Sequence, residues 1–331
     1  MLLKEIKFNK GLIFRNESVV FVSDQGKNKL QLNLNNDLLK SLKSILEGAE
    51  INNLHDFVRI SEKLSRFEPE IRRAIELGII NCFNMGWKLI NENAKQIPRP
   101  MCLIFKKDTG VKEFYLTSLN AKNFDGVVTA CKDVVSLVEK KIGSEKNNLS
   151  DESVLNVIKE CMDKIYQDID FEFRICVNYG NLSEDSYNDD DERIEYIKNL
   201  VNKYDLFYVE NPLHETKISE YKKLCNILKK NCLITFNSRI DEYTEGLDND
   251  AFNAVVLKFK NMKQFSEDVM VLREKHINII LDADESLVNI FVGFEIPIAK
   301  FFYDKKSEKF TEKLINVTST LRKNDNYINE I

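Results

Sequence analysis

Three charged residues in the second half of the chain stand where apolar runs end. Glu210, Lys258 and Lys300 each end or closely follow such a run. In a β/α barrel the functional side chains lie at the carboxyl ends of the strands. A charged group inside an otherwise buried strand is unfavourable unless it faces a polar site. The three residues are therefore candidate functional groups, and a solvated barrel rim is the alternative position for the two lysines.

The segments that would position these residues alternate between strand and helix patterns. The predicted strands are 101–105, 113–116, 171–177, 206–210, 232–236, 254–258, 277–281 and 298–300. The predicted helices are 124–142, 151–168, 190–203, 216–230, 262–275, 284–293 and 306–323. About eight β-branched strands separated by amphipathic helices predict an α/β fold in which a parallel sheet closes into a barrel.

A different pattern precedes the barrel. Strand-like runs at 18–22 and 29–34 flank the turn signal at 24–26, and this arrangement predicts a hairpin. From Asp37 the apolar residues adopt helical spacing, and a longer apolar helix is predicted at 71–90. The opening of the chain is therefore predicted to be an α+β unit.

Two prolines give the clearest boundary in the chain. Pro98 and Pro100 interrupt the helical pattern, and the barrel strands follow them. We therefore predict two domains, an α+β domain at 1–96 and a barrel domain at 97–331.

The composition excludes several classes of function. The 331 residues carry 48 Lys+Arg against 53 Asp+Glu, a formal charge of -5, so no positive field favours nucleic acid or an anionic membrane. No run approaches the ~18 apolar residues of a membrane span, and the first residues lack the apolar core of a signal peptide. We expect a cytoplasmic protein without a nucleic-acid or membrane partner.

The metal-ligating residues are few. The seven cysteines contain no Cys-x-x-Cys pair, and the three histidines are scattered along the chain. A disulfide framework, a thiolate zinc site and a histidine-rich site are therefore not indicated. Any bound metal would be a hard cation held by oxygen atoms.

The order of the motifs in the second half of the chain resembles the C-terminal half of enolase. The segments that carry the resemblance are Tyr208-Val209-Glu210-Asn211-Pro212-Leu213, Val255-Val256-Leu257-Lys258-Phe259-Lys260-Asn261, Val292-Gly293-Phe294 ahead of Lys300, and Lys306-Ser307-Glu308-Lys309. In that family one strand ends in Glu-Asp-Pro, a later one in Leu-Lys-x-Asn-Gln, a Val-Gly-Leu segment precedes a lysine, and an Arg-Ser-Glu-Arg segment starts the last helix.

Matching segments also occur upstream. They are Pro98-Arg99-Pro100-Met101, Lys112-Glu113-Phe114 and Leu12 to Val22. They are similar to the family's Pro-x-Pro-Met barrel entry, its Gln-Glu-Phe and its opening hairpin. Because the motifs occur in the family's order over nearly the whole chain, the chain resembles a divergent enolase. The resemblance implies an N-terminal α+β capping domain followed by a β/α barrel.

The resemblance also implies roles for individual residues. Enolase removes a proton from 2-phosphoglycerate with a lysine and stabilises the intermediate with two Mg²⁺ ions. Lys258 matches the base, Lys300 the lysine that binds the substrate carboxylate, Glu113 an active-site glutamate and Glu210 a metal ligand. The family is typically homodimeric, so the resemblance implies a homodimer here.

Several family elements that handle metal and phosphate have no counterpart. The family holds its principal Mg²⁺ with three carboxylates, of which only Glu210 is present. The first position falls within 174–179, which offers Val177 and Asn178, and the third falls at Phe236-Asn237. The acid loop, the N-terminal lid and the Ser-His-Arg-Ser segment are also missing. Because two of three carboxylates are absent, we expect Mg²⁺ if the chain is active and no cofactor if it is not.

These departures leave three hypotheses. The first is a non-catalytic or altered-function paralogue whose basic pocket, formed by Lys258 and Lys300, binds a small phosphorylated or carboxylic acid or a protein partner. The second is an active phosphopyruvate hydratase, a carbon-oxygen lyase, in which Asp282 or Asp284 replaces a lost ligand and Glu145 the acid. The simpler role of both aspartates is at a helix N-terminus. The third is proton abstraction from a different carboxylic acid.

Overall fold

The N-terminal strands form a small antiparallel sheet. The computed structural model describes residues 1–9, 18–32, 34–143, 148–166, 168–183, 186–187, 189–236, 246–248 and 250–323. The sheet consists of β1 Leu3–Asn9, β2 Ser18–Ser23 and β3 Lys27–Gln31, and its strands lie in the order β1-β2-β3. The predicted hairpin is confirmed in β2 and β3. Strand β1 was not predicted, and a register shift between Leu3 and Glu5 interrupts its alternation.

Three helices follow this sheet. They are α1 Asn36–Leu46, α2 Leu54–Lys63 and α3 Pro69–Asn81. The predicted helix at 71–90 is therefore too long, because a short 3-10 helix replaces it from Gly86 to Leu89. A Cβ on Gly86 would lie 2.2 Å from the Ile80 carbonyl oxygen, so the tight turn between the two helices needs a residue without a side chain.

Eight strands close into a barrel in chain order, with the last strand paired to the first. They are β4 Arg99–Lys106, β5 Glu113–Ser118, β6 Phe173–Asn178, β7 Tyr208–Glu210, β8 Leu233–Phe236, β9 Ala254–Val256, β10 Asn278–Asp282 and β11 Ile298–Phe301. The sequence located all eight, so the predicted closed barrel is confirmed.

The prediction of an all-parallel sheet was wrong for one strand. Strand β5 runs antiparallel to both β4 and β6. The connection 107–112 is too short for a parallel crossover, which needs a dozen or more residues. The chain therefore makes a hairpin at this point, and β5 presents its first residue, Glu113, at the end of the barrel where the other strands finish.

Helices lie between the barrel strands and after the last of them, and seven have both ends within the described residues. They are α4 Phe124–Ile142, α5 Asp151–Ile165, α6 Asp190–Tyr204, α7 Ile218–Leu228, α8 Met262–Glu274, α9 Val288–Gly293 and α10 Lys305–Lys323. Side-chain oxygens cap the N-termini of several of them: Asn123 accepts from the Gly126 amide at 2.8 Å, and Asn261 from the Gln264 amide at 3.0 Å. None of the described helices combines the length and the apolarity needed to cross a bilayer.

The barrel interior is filled by side chains at alternate strand positions. Its apolar layer consists of Met101, Tyr115, Cys176, Tyr208, Ala254, Val256, Ile280 and Ile298. A second core lies between the strands and the helices, and it continues without a break into the N-terminal sheet and helices. The division into domains at residues 96 and 97 stays a prediction.

A buried carboxylate joins the N-terminal helices to the barrel. Glu76 of α3 has no exposed surface, and its carboxylate accepts from the Ser61 hydroxyl at 2.7 Å, from Arg72 Nε at 3.0 Å and from the Met262 amide. Arg72 also donates to Asn261 at 3.2 Å. Burial raises the pKa of Glu76, although its three donors oppose this. The network attaches α3 to the start of α8.

The network predicts a large loss of stability when Glu76 is replaced. Glu76→Ala leaves Arg72 Nε and the Met262 amide without their acceptor and removes the anion beside the guanidinium, so we expect the free energy of unfolding to fall by about 3 kcal/mol. Urea denaturation measures this change. Glu62→Ala is the matched control, because Glu62 forms an exposed ion pair with Lys263 of α8 across the same interface. Equal, small effects of the two substitutions would contradict the role given to Glu76.

Candidate functional site at the mouth of the barrel

Polar side chains converge where the barrel strands finish. Glu113 of β5 pairs with Asn178 of β6, which pairs in turn with Glu210 of β7. On the other side of the barrel, Asp282 of β10 pairs with Lys300 of β11. These positions alternate with residues that face the helices, so all five side chains point into the barrel mouth. The structure therefore places the predicted Glu113, Glu210 and Lys300 in one site.

An ion pair spans this mouth. Strands β7 and β11 lie four positions apart in an eight-stranded barrel, so Glu210 and Lys300 stand on opposite walls. The Lys300 ammonium donates to the Glu210 carboxylate, and the two side chains are only 5% and 0% exposed. Tyr208 donates to the same oxygen at 2.7 Å, and burial, followed by the nearby carboxylate, raises the Tyr208 pKa. Two groups with separate predicted roles thus partner each other.

Glu113 is held by three donors. Tyr115 and the Asn178 amide, at 2.9 Å, donate to one carboxylate oxygen, and Lys106 lies 2.8 Å from the other. Burial raises the Glu113 pKa, but the hydrogen bonds from Lys106 and Tyr115 and the charges of Lys106 and Lys300 outweigh it, so the pKa is lowered. Glu113 is therefore an anchored anion at the mouth.

Lys258 and Asp282 face the mouth without such close partners. Lys258 lies just beyond β9 and is exposed, and within the described part of the chain it has no carboxylate in ion-pairing distance, unlike Lys106 and Lys300. Asp282 keeps contact with solvent, yet the barrel walls raise its pKa against the opposing charges of Lys300 and Lys258. These two side chains are the ones most available to a ligand.

The N-terminal helices determine where Lys258 stands. Arg73 of α3 donates through Nε to the Phe259 carbonyl oxygen at 2.8 Å, immediately after Lys258. Asn261, which caps α8, also accepts from Arg72. The segment just after Lys258 is therefore held at two points, Phe259 and Asn261, by polar contacts to one helix.

The described donors do not by themselves form a magnesium site. Asn178 stands at the first expected ligand position, but its amide donates to Glu113 and its oxygen accepts from the Gly180 amide at 2.8 Å. Glu210 accepts from Lys300 and Tyr208. Across the described ranges no three His, Cys, Asp or Glu side chains could hold a metal together, and Asn237, at the third position, lies outside them. Mg²⁺ usually needs carboxylate charge to replace its water.

The two candidate aspartates turn out to differ. Asp284 accepts from the Ser286 amide at 2.8 Å and caps the 3-10 helix Glu285–Leu287, which confirms its predicted helix-terminal role. For Asp282 the same expectation was wrong, because it ends β10 and faces the mouth. Glu145, the candidate acid, lies outside the described residues.

Sequence reasoning missed three of the residues around this site. Lys106, Tyr115 and Tyr208 were not assigned to the mouth, whereas Asp282 was named only in the hydratase hypothesis, as a substitute metal ligand. A usable signal existed for the two tyrosines, since each stands two residues from a glutamate on the same strand and so shares its face. Lys106 offered no such signal before the hairpin was known.

The Lys300–Glu210 pair predicts a characteristic stability pattern. Glu210→Gln leaves a buried ammonium without its anion, and we expect it to lower the free energy of unfolding by about 3–5 kcal/mol. A second change, Lys300→Met, removes the stranded charge and should restore most of that loss. Lys106→Met serves as control and should cost less than about 1 kcal/mol, because that lysine is largely exposed. Urea denaturation of the unsubstituted protein and the three variants measures these changes. A Glu210→Gln/Lys300→Met variant as unstable as Glu210→Gln alone would contradict the pairing.

The pKa shifts of the two aspartates predict opposite pH dependences. A raised pKa in the folded chain stabilises it below the ordinary aspartate pKa of ~3.9, and this stabilisation is lost as pH rises. The stability of Asp282→Asn relative to the unsubstituted protein should therefore increase with pH. The Asp284 pKa is lowered, because its bonds to Ser286 outweigh burial, so Asp284→Asn should show the reverse trend. Denaturation at several pH values measures both; slopes of the same sign would contradict the assignment.

No known family profile matches the chain, but curated archaeal proteins do. Enolase from Halorubrum lacusprofundi is 26% identical over 182 residues, covering 46% of this chain and 45% of the relative. Enolase from Archaeoglobus fulgidus is 21% identical over 248 residues, 62% of this chain and 61% of the relative. Enolase from Methanothermobacter thermautotrophicus is 24% identical over 135 residues, which cover 37% of this chain and 32% of the relative. The matches thus span about a third to three fifths of these relatives. Together with the closed barrel, they make the chain a divergent relative of enolase.

Proposed function

We propose that this chain is a non-catalytic or altered-function relative of phosphopyruvate hydratase that binds a small carboxylic or phosphorylated acid at its barrel mouth. The observation that carries the proposal is the buried pair between Lys300 and Glu210. The lyase reaction would need Lys300 for the substrate carboxylate and Glu210 for a metal, and here each group already partners the other.

The energetics of dehydration support this proposal. Removing a proton next to a carboxylate builds up charge that metal ions stabilise by several kcal/mol, and each ~1.4 kcal/mol is a factor of ten in rate. Glu210 alone, beside the neutral Asn178, offers a metal little charge. An ordinary hydratase rate is therefore not expected.

The charges at the mouth support an anionic ligand. Lys106 is paired with Glu113, and Lys300 with Glu210, so these four charges largely cancel. Lys258 remains exposed with a positive charge, and the raised pKa of Asp282 widens the pH range in which its opposing negative charge is absent. Within a cleft of low dielectric constant, such an excess of positive charge attracts anions.

One observation favours the alternative, an active phosphopyruvate hydratase. Glu210 and Glu113 both raise the Asp282 pKa, so three carboxylates lie near one another around the mouth. A metal that displaced Lys300 from Glu210 would meet this acidic group. The observed pairing makes that exchange unfavourable, and the alternative is therefore ranked second.

The enolase resemblance extends the proposal to the setting of the protein. We propose a cytoplasmic homodimer, with neither nucleic acid nor membrane as a partner. Light scattering on the purified protein tests the dimer, and a monomer at micromolar concentration would overturn it.

The proposed site predicts anion binding that depends on Lys258. Titration calorimetry with phosphoenolpyruvate, 2-phosphoglycerate and simple carboxylates should show binding of at least one of them. We expect Lys258→Met to weaken that binding about tenfold, or roughly 1.4 kcal/mol, and Lys260→Met, on the same exposed segment, to leave it unchanged. Affinity should fall as pH rises through the raised Asp282 pKa, since the ionised carboxylate repels the anion. Absence of heat from every ligand would overturn the proposal.

The lyase alternative has its own test. With Mg²⁺ and 2-phosphoglycerate, the ultraviolet absorbance of phosphoenolpyruvate should not increase above the rate without protein. Formation of phosphoenolpyruvate that chelation of the metal abolishes would replace our proposal with the hydratase.

A further inference from the structure

Lys258 and Asp282 stand side by side at the barrel mouth. Strands β9 and β10 pair in parallel with Val256 opposite Ile280, and the Leu257 amide donates to the Ile280 carbonyl oxygen at 2.9 Å. The next inward-facing residues along these two segments are Lys258, just after β9, and Asp282, at the end of β10. The charge of Lys258 is close enough to oppose, in part, the rise of the Asp282 pKa that burial causes.

We propose that Lys258 forms a reversible imine with the carbonyl group of a small oxo acid, and that Asp282 donates and accepts the protons of this reaction. The proposal rests on the proposed anion site and names the class of its ligand. The carboxylate of the oxo acid is attracted by the positive charge of Lys258, and its ketone or aldehyde reacts with the Lys258 amine once this has lost its proton.

Three observations single out Lys258 among the lysines of the mouth. Lys300 is buried against Glu210, and Lys106 is bound to Glu113. Lys258 is exposed and, among the residues that the structure describes, has no ion-pairing partner. Its backbone is held by the bond from Arg73 to the Phe259 carbonyl oxygen. An accessible amine on a fixed segment is suited to covalent bonding with a carbonyl carbon.

Asp282 is placed to serve the proton transfers. The unprotonated Lys258 amine attacks the carbonyl carbon, a C–N bond forms, and the carbonyl oxygen takes a proton from the Asp282 carboxyl to become a hydroxyl. The Asp282 carboxylate takes a proton from the bonded nitrogen and passes it to that hydroxyl. The C–O bond breaks, water leaves, the C=N bond forms, and the second proton of the nitrogen returns to Asp282. The amine's two protons end in the water, and Asp282 regains its proton, so no oxidant or reductant takes part. Asp282 suits this role because the pairing of β9 with β10 places its carboxyl group beside the Lys258 amine.

The imine can be trapped on the full-length protein. Pyruvate is added with sodium borohydride, which delivers hydride to the imine carbon and leaves a stable secondary amine, and peptide mass spectrometry locates the added mass. We expect the adduct on Lys258. Lactate, which has the same carbon skeleton and carboxylate but no carbonyl group, should give none.

Variants separate a specific site from general lysine chemistry. Lys258→Arg keeps the positive charge and should abolish the adduct, whereas Lys260→Arg should leave it unchanged. The rate of trapping should depend on pH with a bell shape, because it needs an unprotonated amine and a protonated carboxyl group. Asp282→Asn should lower this rate about a hundredfold and remove one limb of the pH profile. A merely structural role for Asp282 would change stability but not the shape of that profile.

The outcomes distinguish this inference from the proposed function. If pyruvate and lactate bind with equal affinity and no adduct forms on Lys258, the imine is excluded and the anion site stands. If neither binds, the anion site itself is excluded. Equal labelling of Lys258, Lys260 and other exposed lysines would also overturn the imine, because it would show no special reactivity at the mouth.

Discussion

The ion pair across the barrel mouth constrains everything that the site can do. Lys300 and Glu210 come from opposite walls and are both removed from solvent, so separating them would leave two uncompensated charges in a medium of low dielectric constant. Tyr208 adds a third member to the group. A ligand that enters the mouth therefore meets an already neutralised interior and interacts first with the residues at its edge, Lys258 and Asp282.

The position of that edge depends on parts of the chain outside the barrel. Glu76 and Arg73 of α3 bind the segment after Lys258 through buried or partly buried hydrogen bonds. Helix α3 thus contributes to the site by holding the segment next to Lys258. The proposed imine chemistry depends on such fixed placement, since small displacements of reacting groups reduce rates strongly.

Much of the barrel was predictable because its signals are local. Short β-branched runs and amphipathic helices reveal themselves within a few residues, and Glu210, Lys258 and Lys300 stand out as charges at the ends of apolar runs. The failures have non-local causes. The reversal of β5 depends on the short connection 107–112, and the end of α3 depends on how closely Gly86 approaches Ile80.

The sequence by itself determined the order of the elements, the likeness to enolase and the loss of two of the three expected metal carboxylates, because residue identity and collinear order need no folding to be read. Only the tertiary structure decided which charges meet. Lys300 and Glu210 are 90 residues apart, and the pair exists because closing an eight-stranded barrel places β7 opposite β11. The parallel pairing of the neighbouring strands β9 and β10 brings Asp282 beside Lys258, whereas Asp284, two residues further on, caps a 3-10 helix. Such pairings follow from strand register and barrel geometry, which no local pattern encodes.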